Sequence, residues 1–264
     1  MLALEAFSRA ARAAVQVVLT DIDDTLTSGR RLPAVAYTAL ERLRVAGKIV
    51  IPVTGRPAGW CDLIARLWPV DAVVGENGAF YFRCDGEGRM HRAYFADPAA
   101  RTERQRRLDR LRHDILAAVP RARVAADQAY REFDLAIDFA EEIPPLSDVE
   151  IDRIVQCFTE AGAVAKVSSI HVNGWFGEYD KLTMTRRLLD EVFGIDIDRD
   201  NGRIVFIGDS PNDAPMFGFF ENSVAVANFR AFADRVADKP RWMTKGAGGE
   251  GFSELADALL DAAG

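Results

Sequence analysis

Apolar positions along the chain fall into two alternating periods. Residues 15–20 (VQVVLT), 48–54 (KIVIPVT), 72–75 (AVVG) and 203–207 (RIVFI) are short, β-branched runs with few polar breaks. That is the pattern of strands buried on both faces. Between the first two, Val35, Ala39, Leu40 and Leu43 recur at helical spacing over residues 32–46, with Pro33 at the start and Gly47 just past the end. Residues 59–67, 181–193 and 252–260 read as further helices, 223–227 as a strand and 242–244 as a last short one. Buried strands alternating with helices mean crossover connections, and crossovers mean a parallel sheet with helices on both faces.

The pattern changes after Phe82, where a turn signal (GENG) and a short run (AFYF) close the first block. Residues 101–113 are thick with arginine, yet Leu108, Leu111, Ile115 and Leu116 give an amphipathic helix whose basic face is solvated. Residues 134–139 (DLAIDF) alternate like a half-buried strand. Pro144 and Pro145 break the chain, and Ser147 with Glu150 forms a capping box for a helix to about residue 161. Residues 163–168 and 170–173 read as two more strands. The layout predicts a Rossmann-like, doubly wound α/β core at 1–83 and 177–264, interrupted by a small α+β domain at 84–176.

Composition narrows the class. The chain has 264 residues, with 33 Lys and Arg against 40 Asp and Glu, for a net charge of −7. An acidic balance argues against broad nucleic-acid binding, which needs a basic face. Cys61, Cys84 and Cys157 are odd in number and form no C-x-x-C pair, so a reducing, cytoplasmic setting is expected. No apolar run is long enough to span a membrane. Residues 1–14 are rich in Arg and Ala, as transit peptides are, but Glu5 and the immediate start of the core favour a short N-terminal helix.

Four polar motifs follow predicted core elements. Asp21, Asp23 and Asp24 crowd the end of the first strand, ahead of Thr25. Three carboxylates in four residues repel one another, and a divalent cation with oxygen ligands offsets them. Ligands bind at the carboxyl ends of parallel strands, which is where this motif lies. Thr54, Gly55 and Arg56 end the second strand and offer a hydroxyl, amides and a guanidinium fork to phosphate. Lys181 opens a helix, a position its charge does not favour. Gly208 to Asp213 (GDSPND) ends another buried strand, with Asp209 and Asp213 four apart across a turn.

In this order, D-x-D-x-T, T-G-R, lysine and G-D-x-x-N-D resemble the haloacid dehalogenase superfamily, and the place of the insert resembles its type IIB branch. That branch holds Cof-like, sucrose-phosphate and mannosyl-3-phosphoglycerate phosphatases, among others. The resemblance covers about residues 15–82 and 176–260. It implies a phosphatase that uses Mg²⁺ and an aspartyl-phosphate. Asp21 would be the nucleophile, Asp23 the general acid and base, and Lys181 the neutralising cation. Thr54, Gly55 and Arg56, with Asn77 and Asn212, would bind phosphate and substrate. Asp21, Asp23 (through its backbone), Asp209 and Asp213 would hold the metal.

The insert would be the cap that reads the substrate. Its candidate readers are Arg131, Glu132, Ser168, His171, Asn173 and Trp175. The expected substrate is a small phosphorylated metabolite, such as a sugar phosphate or phosphoglycerate-type ester, handled by a monomer or dimer with no nucleic-acid or membrane partner. A phosphomutase sharing the same intermediate remains an alternative, as does, more remotely, a receiver-like phospho-acceptor that binds without turnover.

Overall fold

The computed structural model describes residues 1–168 and 170–263. The chain opens with β1 (Leu2–Ala3), α1 (Arg9–Ala14) and β2 (Val17–Thr20). Next come α2 (Ala34–Val45), β3 (Ile49–Pro52), α3 (Ala58–Leu67) and β4 (Val73–Gly75). A hairpin of β5 (Phe80–Cys84) and β6 (Met90–Tyr94) leads into the long α4 (Pro98–Ala118). The cap sheet is built from β7 (Arg123–Val124), β8 (Leu135–Asp138), β9 (Val164–Val167) and β10 (His171–Trp175), with α5 (Asp148–Glu160) between β8 and β9. The chain then returns through α6 (Lys181–Phe193), β11 (Ile204–Gly208), α7 (Ala214–Phe219), β12 (Asn222–Ala225), β13 (Trp242–Met243) and α8 (Gly248–Ala263).

Among the described residues these strands form three sheets. The core sheet runs β1-β13-β12-β11-β2-β3, all parallel. Alternation along its strands sorts side chains between two layers. Val18, Val50, Val205 and Ile207 face α2, α3 and α8, where Leu40, Leu43, Ile64, Phe252 and Leu255 are buried. Val17, Leu19, Ile51, Ile204 and Phe206 face α6 and α7, against Met184, Leu188 and Phe217. Strands covered on both sides must be apolar throughout, which is why the runs read as uninterrupted.

The β4-β5-β6 sheet hangs from the core edge, joined through the Val53–Val74 bridge. The pairing of β6 with β5 was not expected, because its sequence, MHRAY, is polar and ends half-exposed. In the cap, Leu135, Ile137 and Val172 pack under α4 and α5 against Leu111, Ile115, Ile154 and Phe158. Gly174 has no side chain because the Phe158 ring occupies that space. The other face of the cap sheet, carrying His171, Asn173 and Trp175, turns toward the core. Ser147 caps α5 through the reciprocal box with Glu150. No helix among the described residues is long and apolar enough to cross a membrane.

One glycine ties the fold to the chemistry. Gly78 has φ +106°, and a Cβ there would collide with the Asp180 carbonyl oxygen and press on Lys181 N. We expect Gly78→Ala to cost about 2–3 kcal/mol through overpacking and backbone strain. That corresponds to a melting temperature lowered by roughly 4–10 °C in a chain of this size. Turnover should fall further than stability does, since the start of α6 carries Lys181. Thermal melts alongside activity at low temperature separate the two effects, and an unchanged melt would contradict the close approach.

Candidate active site

Adjacent parallel strands in register bring their carboxyl ends to one edge. Leu19 pairs with Phe206 and Ile51, so the loops after β2, β3 and β11 leave the sheet side by side. Asp21 follows β2, Thr54 follows β3 and Asp209 follows β11. Lys181, at the first turn of α6, reaches across to them. Its Nζ donates to Asp21 Oδ1 at 2.7 Å and to Asp213 Oδ1 at 2.8 Å. Asp180 caps α6 by accepting from Thr183 N, which fixes the helix start that aims the lysine.

The acidic loops are themselves tightly held. Asp213 Oδ2 accepts from the backbone N–H groups of Asp209 and Ser210. Gly208 is required there, because a Cβ would strike the Asp213 carboxylate. Thr25 Oγ1 donates to Asp209 Oδ1 at 3.4 Å, and Asn228 Nδ2 donates to Asp209 Oδ2 at 3.3 Å and to the Asp24 carbonyl at 3.0 Å. Ser210 Oγ donates to Asn212 Oδ1 at 2.6 Å, so the loop's polar tips face the cleft in a fixed order.

Asp21, Asp209 and Asp213 are buried, and each offers an oxygen within 4.8 Å of the others. Burial pushes the Asp21 carboxyl up to about 8, with Asp213 and Asp23 adding to the rise and Lys181 opposing it. Burial likewise lifts Asp209 well above the usual carboxylate range, reinforced by Asp21 and Asp213. Burial opposes the charge on Lys181, but Asp21 and Asp213 outweigh it and hold the ammonium above its ordinary value. Three carboxylates against one ammonium leave two negative charges unmatched when all are ionised. An all-oxygen donor set with that deficit fits a hard divalent cation. Both Asp213 oxygens are already engaged by Lys181 and the loop, so Asp21 and Asp209 are the freer ligands. The Asp23 side chain lies outside this group.

Asp23 is held instead by Arg56, which forks onto it from Nε at 2.9 Å and Nη2 at 2.7 Å. Arg56 also lies 3.6 Å from Asp127 and 3.7 Å from Glu141 of the cap, and its guanidinium covers the Trp60 ring. The fork expected to sit beside phosphate therefore links the Asp23 carboxyl to the cap. Thr54 is fully buried, and its Oγ1 accepts from Arg56 N at 3.1 Å. Asn77 N donates to the Thr54 carbonyl, and the Asn77 side chain packs on Gly55 at the cleft wall.

The cleft above this edge is small and polar, with a volume of about 30 Å³. From the core it is lined by Asp21, Asp23, Gly55, Asn77, Asp209 and Asn212.

A sequence profile of the haloacid dehalogenase-like hydrolases matches residues 154–245. The chain is 29% identical over 248 residues to a phosphoglycolate phosphatase of Pyrobaculum neutrophilum, covering 93% of this chain and 96% of that protein. Its fold superposes on a Thermoplasma acidophilum protein with a TM-score of 0.71 at 18% identity, covering 93% and 98% of the two chains. It also superposes on a subclass IIB sugar phosphatase of the same superfamily, with a TM-score of 0.61 at 16% identity and coverage of 94% and 98%. The chain is similar in sequence to haloacid dehalogenase-like hydrolases and shares its fold with type IIB phosphatases of that superfamily.

The cap supplies Arg131, Lys166, Ser168, Ile170, His171 and Asn173 to the cleft. Most are engaged by the cap itself. Arg131 binds Asp127 and Asp134 and donates to the Gly55 carbonyl at 3.1 Å, so it joins cap to core. Asn173 Nδ2 donates to Asp134, His171 Nε2 lies 2.8 Å from Glu141, and Ser168 Oγ closes the β9–β10 turn through the His171 backbone. Two expected readers lie elsewhere. Glu132 pairs with Arg101 away from the cleft, and Trp175 is buried against Tyr179.

Sequence reasoning missed Glu76, Asp127, Glu141, Lys166 and Asn228, whose roles depend on contacts between the two domains or between distant loops. Glu76 is fully buried, with φ +42°. Its carboxylate accepts from the N–H groups of Ala58, Glu132, Phe133 and Asp134, fastening the cap to the start of α3. Glu76→Gln turns an amide toward two of those donors and leaves them unpaired. We expect a loss of about 2–4 kcal/mol, seen as a lower melting temperature and faster proteolysis of the cap. A variant that melts and resists protease like wild type would contradict this role.

Proposed function

We propose that this phosphatase hydrolyses small phosphomonoesters through a covalent aspartyl-phosphate on Asp21, with Mg²⁺ held by Asp21 and Asp209 and backed by Asp213. What carries the reading is the clustering of the Asp21, Asp209 and Asp213 carboxylates, two of them bound by Lys181 Nζ, at the floor of a polar cleft. Phosphoryl transfer needs little beyond in-line positioning and charge neutralisation, and the buried edge supplies both. When bound, Mg²⁺ lowers the cost of bringing an anionic ester against an anionic nucleophile.

In the first step the Asp21 carboxylate attacks phosphorus, and the bond from phosphorus to the ester oxygen breaks. Asp23 gives its proton to that oxygen, and the alcohol leaves. In the second step Asp23 takes a proton from water, whose oxygen attacks the same phosphorus. Inorganic phosphate departs and the Asp21 carboxylate is restored. Lys181 holds the Asp21 oxygen in place throughout, and its permanent charge offsets the negative charge that accumulates there. Arg56 fixes the Asp23 carboxyl toward the cleft, so the acid–base group has one orientation.

Phosphoglycolate is the substrate in the name of the Pyrobaculum neutrophilum relative, which supports a short ester as the substrate here.

The test is phosphate release from short esters. Stripping divalent ions with a chelator should abolish release, and adding Mg²⁺ back should restore it. Asp21→Asn should lower turnover by at least about 10³-fold, as loss of a covalent nucleophile does. Release that survives chelation or the substitution would contradict the reading.

A further inference from the structure

We propose that the substrate carries a carboxylate beside its phosphate ester and that Lys166 reads it. This rests on the phosphatase reading above and names the chemical class of its leaving group.

The cations around the cleft point to the assignment. Arg56 is engaged by Asp23, with Asp127 and Glu141 nearby. Arg131 is engaged by Asp127 and Asp134, and Lys181 by Asp21 and Asp213. His171 faces Glu141. Lys166 also lines the cleft, yet among the described residues its exposed side chain forms no hydrogen bond or ion pair. Every other positive side chain there already has a carboxylate of the protein. Lys166 is the one left to meet a charge that arrives with the substrate.

Its place in the fold is set by strand register. Lys166 in β9 stands opposite Asn173 in β10. Directly paired residues project from the same face of a sheet. Asn173 and His171 line the cleft on the core-facing side, so Lys166 belongs to the same lid. Its neighbour Ala165 packs with the cap's apolar layer on the opposite face. A one-residue slip would send the lysine into that layer, so the pairing with Asn173 fixes its direction.

Position narrows the class. The Asp21 end of the cleft must hold the phosphoryl group, and Lys166 stands where this cleft adjoins a second cavity of about 230 Å³. An ammonium on a flexible stem there suits a second anion carried by the leaving group of the ester. A phosphorylated hydroxy-acid meets that demand. A neutral polyol phosphate would leave Lys166 without a partner.

The experiment compares two esters of matched size, 2-phosphoglycolate and 2-hydroxyethyl phosphate, with full-length protein and Mg²⁺. The quantity read is the ratio of their kcat/KM values in wild type, Lys166→Met and Lys166→Glu. Wild type should prefer the carboxylate ester. The ratio should fall by about tenfold or more in Lys166→Met, mainly through KM, and further in Lys166→Glu, where like charges meet. A ratio that stays within twofold of wild type in both variants overturns the assignment and leaves the phosphatase reading standing, even if both rates drop together. A wild type that prefers the neutral ester overturns it as well. Hydrolysis of neither ester by wild type overturns the phosphatase reading, and this inference falls with it.

Discussion

Buried negative charge organises this molecule. Asp21, Asp209 and Asp213 are brought within 4.8 Å of one another in a site that excludes most solvent. Such a cluster is unstable without compensation, because each carboxylate is both desolvated and repelled by its neighbours. Lys181 supplies part of that compensation from α6, and a divalent cation fits the rest. The surrounding structure holds the strained arrangement in place. Parallel register delivers the acidic loops to one edge, Gly208 lets Asp213 fold beneath its own strand, and Gly78 lets the start of α6 approach. Thr25 and Asn228 steady Asp209 from the side.

The cap is bound to this edge by a second set of buried charges. Glu76 collects backbone donors from both domains, Arg131 spans from Asp134 to the Gly55 carbonyl, and Arg56 sits between Asp23 and two cap carboxylates. Buried ion pairs of this kind contribute little net stability, but breaking one is costly, and they define one arrangement sharply. Arg56 is the point where the two networks meet. The group that orients Asp23 also senses whether the cap's Asp127 and Glu141 are in place, so cap position and acid–base geometry are mechanically linked.

The sequence made the core legible because doubly covered strands leave uninterrupted apolar runs, and the four motifs follow one another in order at their ends. Asp21, Lys181, Asp209 and Asp213 could be placed in one site before any coordinates. Boundaries moved by one to four residues, as with β10, which begins at His171 and extends to Trp175, and α8, read as 252–260 and spanning Gly248–Ala263. The hairpin strand β6 was hidden because its polar, half-exposed residues lack a period. The cap was harder to read. Glu132 and Trp175 have the chemistry of substrate readers, yet one faces Arg101 outside the cleft and the other is packed against Tyr179. Asn228 and Glu76 matter only through contacts with segments far away in sequence, which periodicity cannot register.

The central claim is that Asp21 becomes covalently phosphorylated. Acid quench of the enzyme during turnover of a short phosphate ester, followed by peptide mass spectrometry, tests it most directly. The account predicts a phosphoryl group on the peptide that carries Asp21, absent in Asp21→Asn and absent without divalent metal. A phosphoryl group trapped on another residue, or rapid turnover with none on Asp21 at any quench time, would contradict it.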